Sequence, residues 1–226
     1  MTDSTNRKSF WKIYTPGNIY RESVYRLRSL SRRFRLLISQ RAQKTAAYDD
    51  THATSVGNFY DANHDKFMRV YGPVIQAFRT KNADDLLNYE MLSMGLRRGQ
   101  RVLDAGCGVG IPALYFARHA GVTVDALTIS QKQFEAAVTN IAAQDMGNQV
   151  SVTRGDYHRL TDYFEPASYD VIYFLESLGH SRDKEHLLKV CWETLKPGGL
   201  LYIKDLFQRV PVLPEHKKKL LPKLSK

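Results

Sequence analysis

From Gln100 onward the chain alternates between short apolar runs and longer amphipathic stretches. Arg101–Asp104, Val122–Leu127, Val150–Thr153, Asp170–Leu175 and Leu200–Lys204 have the length and apolar character of strands. Ile111–Ala120, Ser130–Asp145 and Asp183–Leu195 carry apolar residues at helical spacing. Lys196-Pro197-Gly198-Gly199 is expected to end the last helix, because Pro197 cannot continue it and the glycines supply a turn. Strands that alternate with helices predict an α/β fold: a Rossmann-like, doubly wound, mostly parallel sheet with five recognisable strands.

The first hundred residues read differently. A helical pattern covers roughly 20–45, with Val24, Leu27, Leu30, Phe34, Leu37 and Ile38 on one stripe. A polar break is expected at Tyr48–Gly57, and a second helical region at about 59–95. Three parts follow: a basic amphipathic helical extension (1–47), a helical cover segment (48–98), and the α/β domain (99–226).

Charge sharpens that division. The net charge is +10 over 226 residues, but residues 1–47 hold 11 Lys/Arg against 2 Asp/Glu, and 205–226 hold 6 against 2. The body between them is slightly acidic. A nucleic-acid enzyme more often spreads positive charge over its active face, so a nucleic-acid partner is not expected. A basic amphipathic helix over 20–38 suits an anionic membrane surface. The same stripe would equally serve a helix packed on its own domain. Two cysteines, Cys107 and Cys191, exclude a disulfide-stapled scaffold and point to a cytoplasmic chain, at most peripheral to a membrane. No apolar run approaches the ~20 residues needed to span a bilayer, and the start lacks a signal-peptide pattern. No metal is expected.

The chemistry concentrates at Val102-Leu103-Asp104-Ala105-Gly106-Cys107-Gly108-Val109-Gly110, between a strand and a helix. Glycines there let the backbone turn sharply and approach a ligand. A dinucleotide fingerprint would need glycine at position 111, which is isoleucine, and a phosphate loop would need lysine at 112, which is proline. An acid facing the loop repels pyrophosphate and suits a ligand with an amino group and a positive centre.

These residues resemble the class I S-adenosylmethionine-dependent methyltransferases over about 59–208, most closely the sterol, tocopherol and cyclopropane-fatty-acid group. The resemblance implies that Asp104, Gly106, Gly108 and Gly110 receive the methionine part of the cofactor, S-adenosyl-L-methionine. Thr128 and Gln133, in Thr128-Ile129-Ser130-Gln131-Lys132-Gln133, would stand in for the usual ribose-binding acid. Ser130 and Gln133 also have the spacing of a capping box, and one residue can do both. In Gly155-Asp156-Tyr157, Asp156 would accept a hydrogen bond from the adenine amino group, with Tyr157 beside it. Tyr60 would close over the methionine end; as an alternative, Tyr60 and Tyr71 are core aromatics.

The fourth strand runs into Glu176-Ser177-Leu178-Gly179-His180, which places Glu176 and His180 beyond the carboxyl ends of the strands, where ligands bind in such sheets. The Asn/Asp-Pro-Pro-aromatic motif of nucleobase-modifying relatives is absent there. The resemblance therefore implies C- or O-methylation of a small, lipid-like or isoprenoid acceptor. Glu176 would stabilise positive charge and His180 would take the proton. The usual fold adds two more strands after the fifth, for which Asp205–Lys226, with Pro211, Pro214 and Pro222, is too short and too proline-broken. A cofactor-binding relative without turnover, and an RNA-associated enzyme using the basic arms, remain the alternatives.

Overall fold

The computed structural model describes residues 20–28, 51–74 and 82–208. By contacts the chain divides into a unit of Val24–Asp205 and a unit of Met1–Ser23 with Leu206–Lys226. Nearly all that bears on function lies in the first. The strands are β1 (Tyr20–Arg28), β2 (Arg101–Ala105), β3 (Thr123–Thr128), β4 (Val150–Arg154), β5 (Tyr169–Leu175) and β6 (Leu195–Gln208), of which the start of β1 and the end of β6 fall in the second unit. The helices are α1 (Thr51–Tyr71), α2 (Ala83–Met94), α3 (Ile111–Ala120), α4 (Gln131–Ala143), the single turn α5 (Leu160–Tyr163) and α6 (Lys184–Thr194).

The sheet order is β1-β6-β5-β2-β3-β4. The pairs β2–β3, β2–β5, β3–β4 and β5–β6 all run parallel. The chain starts this part of the sheet at β2 and winds outward both ways, so strand order reverses beside β2, where such sheets open a crevice. Both faces are covered. Val102, Leu103, Val124, Ile172, Tyr173 and Phe174 are fully buried in the sheet, as are Ala113 and Phe116 of α3 and Leu187 and Cys191 of α6. This is why β2 and β5 read as continuous apolar runs rather than as alternating ones.

Local chemistry fixes the helix ends. Asn82 caps α2 by accepting from the Asp84 amide, Ser130 caps α4 through the Gln133 amide, and Asp183 caps α6 through the His186 amide. Gly121 ends α3 in the left-handed conformation that glycine adopts without penalty, its amide bonded to the Ala117 carbonyl.

Three expectations need correction. Residues 20–28 form strand β1, not the start of a helix over 20–45; extended pairing at the sheet edge overrides a helical stripe that short apolar runs carry only weakly. The remaining residues of that stripe lie outside the described ones. The five expected strands are β2 to β6, and β1 adds a sixth at the edge of the sheet. The supposed break at 48–57 is largely helix, since α1 begins at Thr51. Gly57 sits inside it because a Cβ there would come within 3.2 Å of the Ile129 carbonyl oxygen. It marks a close approach rather than a turn. The 59–95 region is accordingly parts of two helices, α1 and α2.

Lys196-Pro197-Gly198-Gly199 ends α6 as expected, but it does not precede the strand. Leu195 already pairs with Tyr169, and pairing resumes at Leu200 with Val171, so the four residues loop out of β6. Gly198 takes φ 79° within that loop.

Candidate active site

The three glycines after β2 serve three purposes. Gly106 has φ 97°, and a Cβ on it would lie 2.4 Å from the Ser177 Cβ, so it permits the loops after β2 and β5 to touch. The Ser177 hydroxyl uses that proximity to donate to the Ala105 carbonyl at 2.6 Å. Gly110, at φ 81°, begins α3 and lets it pack on Ala137 of α4, which a Cβ would meet at 3.3 Å. Gly108, at φ 55°, is different, because a Cβ there would meet nothing within 4 Å. The loop is pinned from behind: the Gly106 and Cys107 amides both donate to the Leu127 carbonyl at 2.9 Å, and the Asn140 side chain donates to the Val109 carbonyl at 2.9 Å.

Asp104 is the penultimate residue of β2, in register with Tyr173 of β5. It is 1% exposed, and its Oδ2 has no hydrogen-bond partner among the described residues. Burial raises its pKa from 3.8 to about 7; the Tyr173 hydroxyl beside it pulls the other way, and the Glu90 carboxylate adds to the rise. Cys107 is also buried, which pushes its thiol well above the ordinary value and leaves it a packing residue.

Helix α1 crosses above this loop. Asp61 Oδ1 accepts from the Ser130 hydroxyl and from the Lys132 amide at 3.1 Å, at the start of α4 after β3. The neighbouring Tyr60 hydroxyl shares a 2.7 Å hydrogen bond with His180 Nε2, after β5. In the sheet β2 lies between β5 and β3. Two consecutive residues of α1 thus reach the loops on either side of the glycine loop. His52, at the start of α1, bonds the His180 carbonyl at 2.9 Å.

Burial raises the Tyr60 hydroxyl to about 12, helped by the Asp205 and Glu176 carboxylates. Burial lowers His180 below 6.5, against the pull of Asp205 and with a smaller push from His52. At neutral pH the pair is therefore a phenol and a neutral imidazole, able to accept a proton.

Glu176 sits at the end of β5 with φ 56°, a conformation that costs a non-glycine residue energy and recurs at functional sites. Its amide donates to the Lys204 carbonyl at 2.7 Å. Below it lies a feature the sequence reading missed. The Lys204 ammonium is 3.0 Å from Glu90 Oε1 and 3.9 Å from Glu176 Oε1, and Lys204 and Glu90 are buried. Glu90 had a signal: it shares the helical stripe Leu86, Leu87, Glu90, Met94, where a carboxylate is out of place without a partner.

The nucleoside-side candidates also come together. The Thr128 hydroxyl donates to Gln133 Oε1 at 2.9 Å, a bond that leaves the two Gln133 amide protons unused. Asp156 caps a short 3-10 helix (Tyr157–Arg159) and accepts through Oδ1 from both the amide and Nδ1 of His158. The Tyr157 hydroxyl donates to the Ser177 carbonyl at 3.2 Å, tying the loop after β4 to the loop after β5. His158 and its partner Ser181 were not singled out in the sequence. Among the described residues, no His/Cys/Asp/Glu group is arranged to hold a metal ion.

Residues 102–199 match the family model described as "Methyltransferase domain". This part of the chain is similar to methyltransferase domains. The chain is 33% identical over 164 residues to a 27-O-demethylrifamycin SV methyltransferase of Amycolatopsis mediterranei, covering 69% of this chain and 59% of that one. It is 34% identical over 125 residues to a sterol 24-C-methyltransferase of Yarrowia lipolytica, covering 55% and 32%. Among solved structures, a SAM-dependent methyltransferase from Thiobacillus denitrificans in complex with S-adenosyl-L-homocysteine superposes with TM-score 0.52 at 22% identity, covering 69% of this chain and 67% of that one. The chain thus spans between about a third and three fifths of the length of these two curated relatives. The match to the methyltransferase domain ends at residue 199, within the looped-out part of β6, so Lys204 falls outside it.

Proposed function

We propose that the chain is an S-adenosylmethionine-dependent methyltransferase that transfers a methyl group to a carbon or oxygen of a small, lipid-like or isoprenoid acceptor. One observation carries the proposal. Helix α1 bridges the loops after β3 and β5 through Asp61 and Tyr60, over a glycine loop whose Gly108 faces open space. The residues fit the cofactor. Gly108 leaves the room a methionine chain needs, Gln133 offers donors for ribose hydroxyls, and Asp156 is an acceptor for an adenine amine. Asp104 is sealed under the loop, and its contribution is negative potential at the end that would take the ammonium and sulfonium charges.

The cofactor supplies an activated methyl group on a sulfonium centre. The protein's work is positioning and the exclusion of water, which Tyr60 and α1 accomplish by covering the strand ends. Glu176, at the end of β5, places a carboxylate where an alkene acceptor develops positive charge. His180, neutral and bonded to Tyr60, takes the proton that the acceptor loses, either directly or through the phenol. For a hydroxyl acceptor the same pair removes the O–H proton as the C–O bond forms.

The apolar acceptor class rests on Phe59 and Phe67, whose rings meet Tyr60 at 5.5 and 5.6 Å on α1. It also rests on the absence of the nucleobase motif at Glu176–His180, and the sterol and rifamycin relatives agree with it. Calorimetry with S-adenosylhomocysteine tests the cofactor step: micromolar or tighter binding to the full chain, lost in Gly108→Val, is expected. Equal affinity in both chains would refute the placement.

A further inference from the structure

Three side chains link the loops after β4 and β5 in an unbroken hydrogen-bond chain. Asp156 Oδ1 lies 2.7 Å from His158 Nδ1, and His158 Nε2 lies 2.7 Å from the Ser181 hydroxyl. His158 is 3% exposed, Ser181 2% and Asp156 9%. Ser181 directly follows His180, and its amide is bonded to the Leu178 carbonyl at 3.0 Å. His186 of α6 holds the His158 backbone by bonding its carbonyl at 2.9 Å, with the two imidazoles stacked at 6.3 Å.

The arrangement has the order of an acid–imidazole–hydroxyl relay, yet it is not a nucleophile. Ser181 is sealed from substrate, and a buried hydroxyl with no access to a carbonyl performs no acyl transfer. Its direction is nevertheless fixed. A carboxylate oxygen accepts, so Nδ1 is the side of the ring that donates to Asp156, and Nε2 is the side that pairs with the Ser181 hydroxyl. His158 therefore delivers two donors to one oxygen of Asp156, its Nδ1–H and its backbone amide. Two donors on one oxygen fix the orientation of the carboxylate. An Asp156 carboxylate held in this way presents an acceptor to whatever its second oxygen meets.

We propose that His158, steadied by Ser181, is the positioning residue that makes the nucleoside site specific for an amino-bearing base. It holds Asp156 as an obligate acceptor, so that adenine is taken and a base with a carbonyl at the same place is rejected. The inference rests on the cofactor reading above and adds a residue to it. It also ties the base-reading carboxylate to the segment that carries His180, through Ser181.

Two substitutions separate the halves of the imidazole. His158→Asn keeps an amide donor near the position of Nδ1 and loses the reach to Ser181. His158→Gln keeps the reach to Ser181 and loses the donor to Asp156. The probes are S-adenosylhomocysteine and S-inosylhomocysteine, titrated calorimetrically into the full chain, with thermal melting to confirm folding. The natural chain is expected to favour the adenosyl compound by about tenfold or more, the range for a hydrogen bond to a charged group. His158→Asn should retain most of that preference, His158→Gln should reduce it to about twofold, and Ser181→Ala should fall between.

A His158→Gln chain that discriminates as well as the natural one overturns the proposal alone. A natural chain that binds neither compound, or both equally, overturns it together with the assignment of Asp156. If His158→Gln does not fold, Ser181→Ala decides: undiminished preference there overturns the relay.

Discussion

Tyr60 and His180 lie 120 residues apart in the chain and share a 2.7 Å hydrogen bond above the carboxyl ends of the sheet. Their rings also meet edge to face at 5.4 Å, so the contact combines packing with polarity. Tyr60→Phe keeps the ring and removes only the hydroxyl. We expect turnover to fall about tenfold, the worth of one such bond in the transition state, with cofactor affinity within about twofold of the natural chain. Single-turnover rates alongside calorimetry check it.

The pH dependence of that pair has a definite sign. Burial lowers His180 below its ordinary 6.5, so the folded protein binds this proton more weakly than the unfolded chain does. Stability from this group is whole above about pH 6.5 and falls as pH drops from there toward the folded value. The acidic limb of kcat/KM should likewise lie below 6.5 and disappear with the residual activity of His180→Ala. A limb above 6.5 would contradict the neutral imidazole.

Asp104 behaves oppositely. Its folded pKa, about 7, lies above the 3.8 of a free side chain, so the folded state holds the proton more tightly. Stability is therefore lost as pH rises from about 4 through 7. Asp104→Asn should flatten that slope and stabilise the protein at pH 8, by up to about 4 kcal/mol. The same change should weaken S-adenosylmethionine, whose charges lose a compensating carboxylate. Urea midpoints measured from pH 5 to 8 on both chains give the comparison.

The glycine loop allows a similar separation of stability from binding. Gly106→Ala forces a Cβ onto Ser177 at 2.4 Å in a left-handed conformation, and should cost several kcal/mol of stability. Gly108→Ala meets no neighbour, so its stability cost is the conformational one, about 1 kcal/mol. Its effect on cofactor affinity should be the larger. Melting curves and cofactor titrations on the two variants separate the roles.

Beneath the rim, Lys204→Met leaves the Glu90 carboxylate buried without its 3.0 Å partner and should cost about 3–5 kcal/mol. Glu90→Gln together with Lys204→Met should recover much of that loss. A double-mutant cycle by urea denaturation measures the coupling.

What the sequence made legible follows the range over which each signal acts. The loop from Asp104 to Gly110, the Ser130 cap and the strands β2 to β5 depend on neighbours within a few residues, and periodicity and spacing report these. Strand β1 owes its conformation to a sheet neighbour far away in sequence, so the apolar positions Val24 and Leu27 read as part of a helix. Gly57 looked like a break because its reason, the Ile129 carbonyl, is 72 positions away. The pairings Glu90–Lys204 and His158–Ser181 are likewise products of topology. The place of Glu176 and His180 just beyond β5 was legible because they follow its last apolar run.

The central claim is methyl transfer at the Tyr60–His180 pair, and single-turnover transfer from S-adenosylmethionine labelled in its methyl group tests it most directly. The full chain should pass label to at least one acceptor among sterols, isoprenoids, fatty-acyl compounds and phenols. His180→Ala should bind the cofactor equally well and transfer at least about a hundredfold more slowly, as expected for loss of a general base. Transfer at the same rate by His180→Ala, or tight cofactor binding with no transfer to any of these acceptors, would contradict the account.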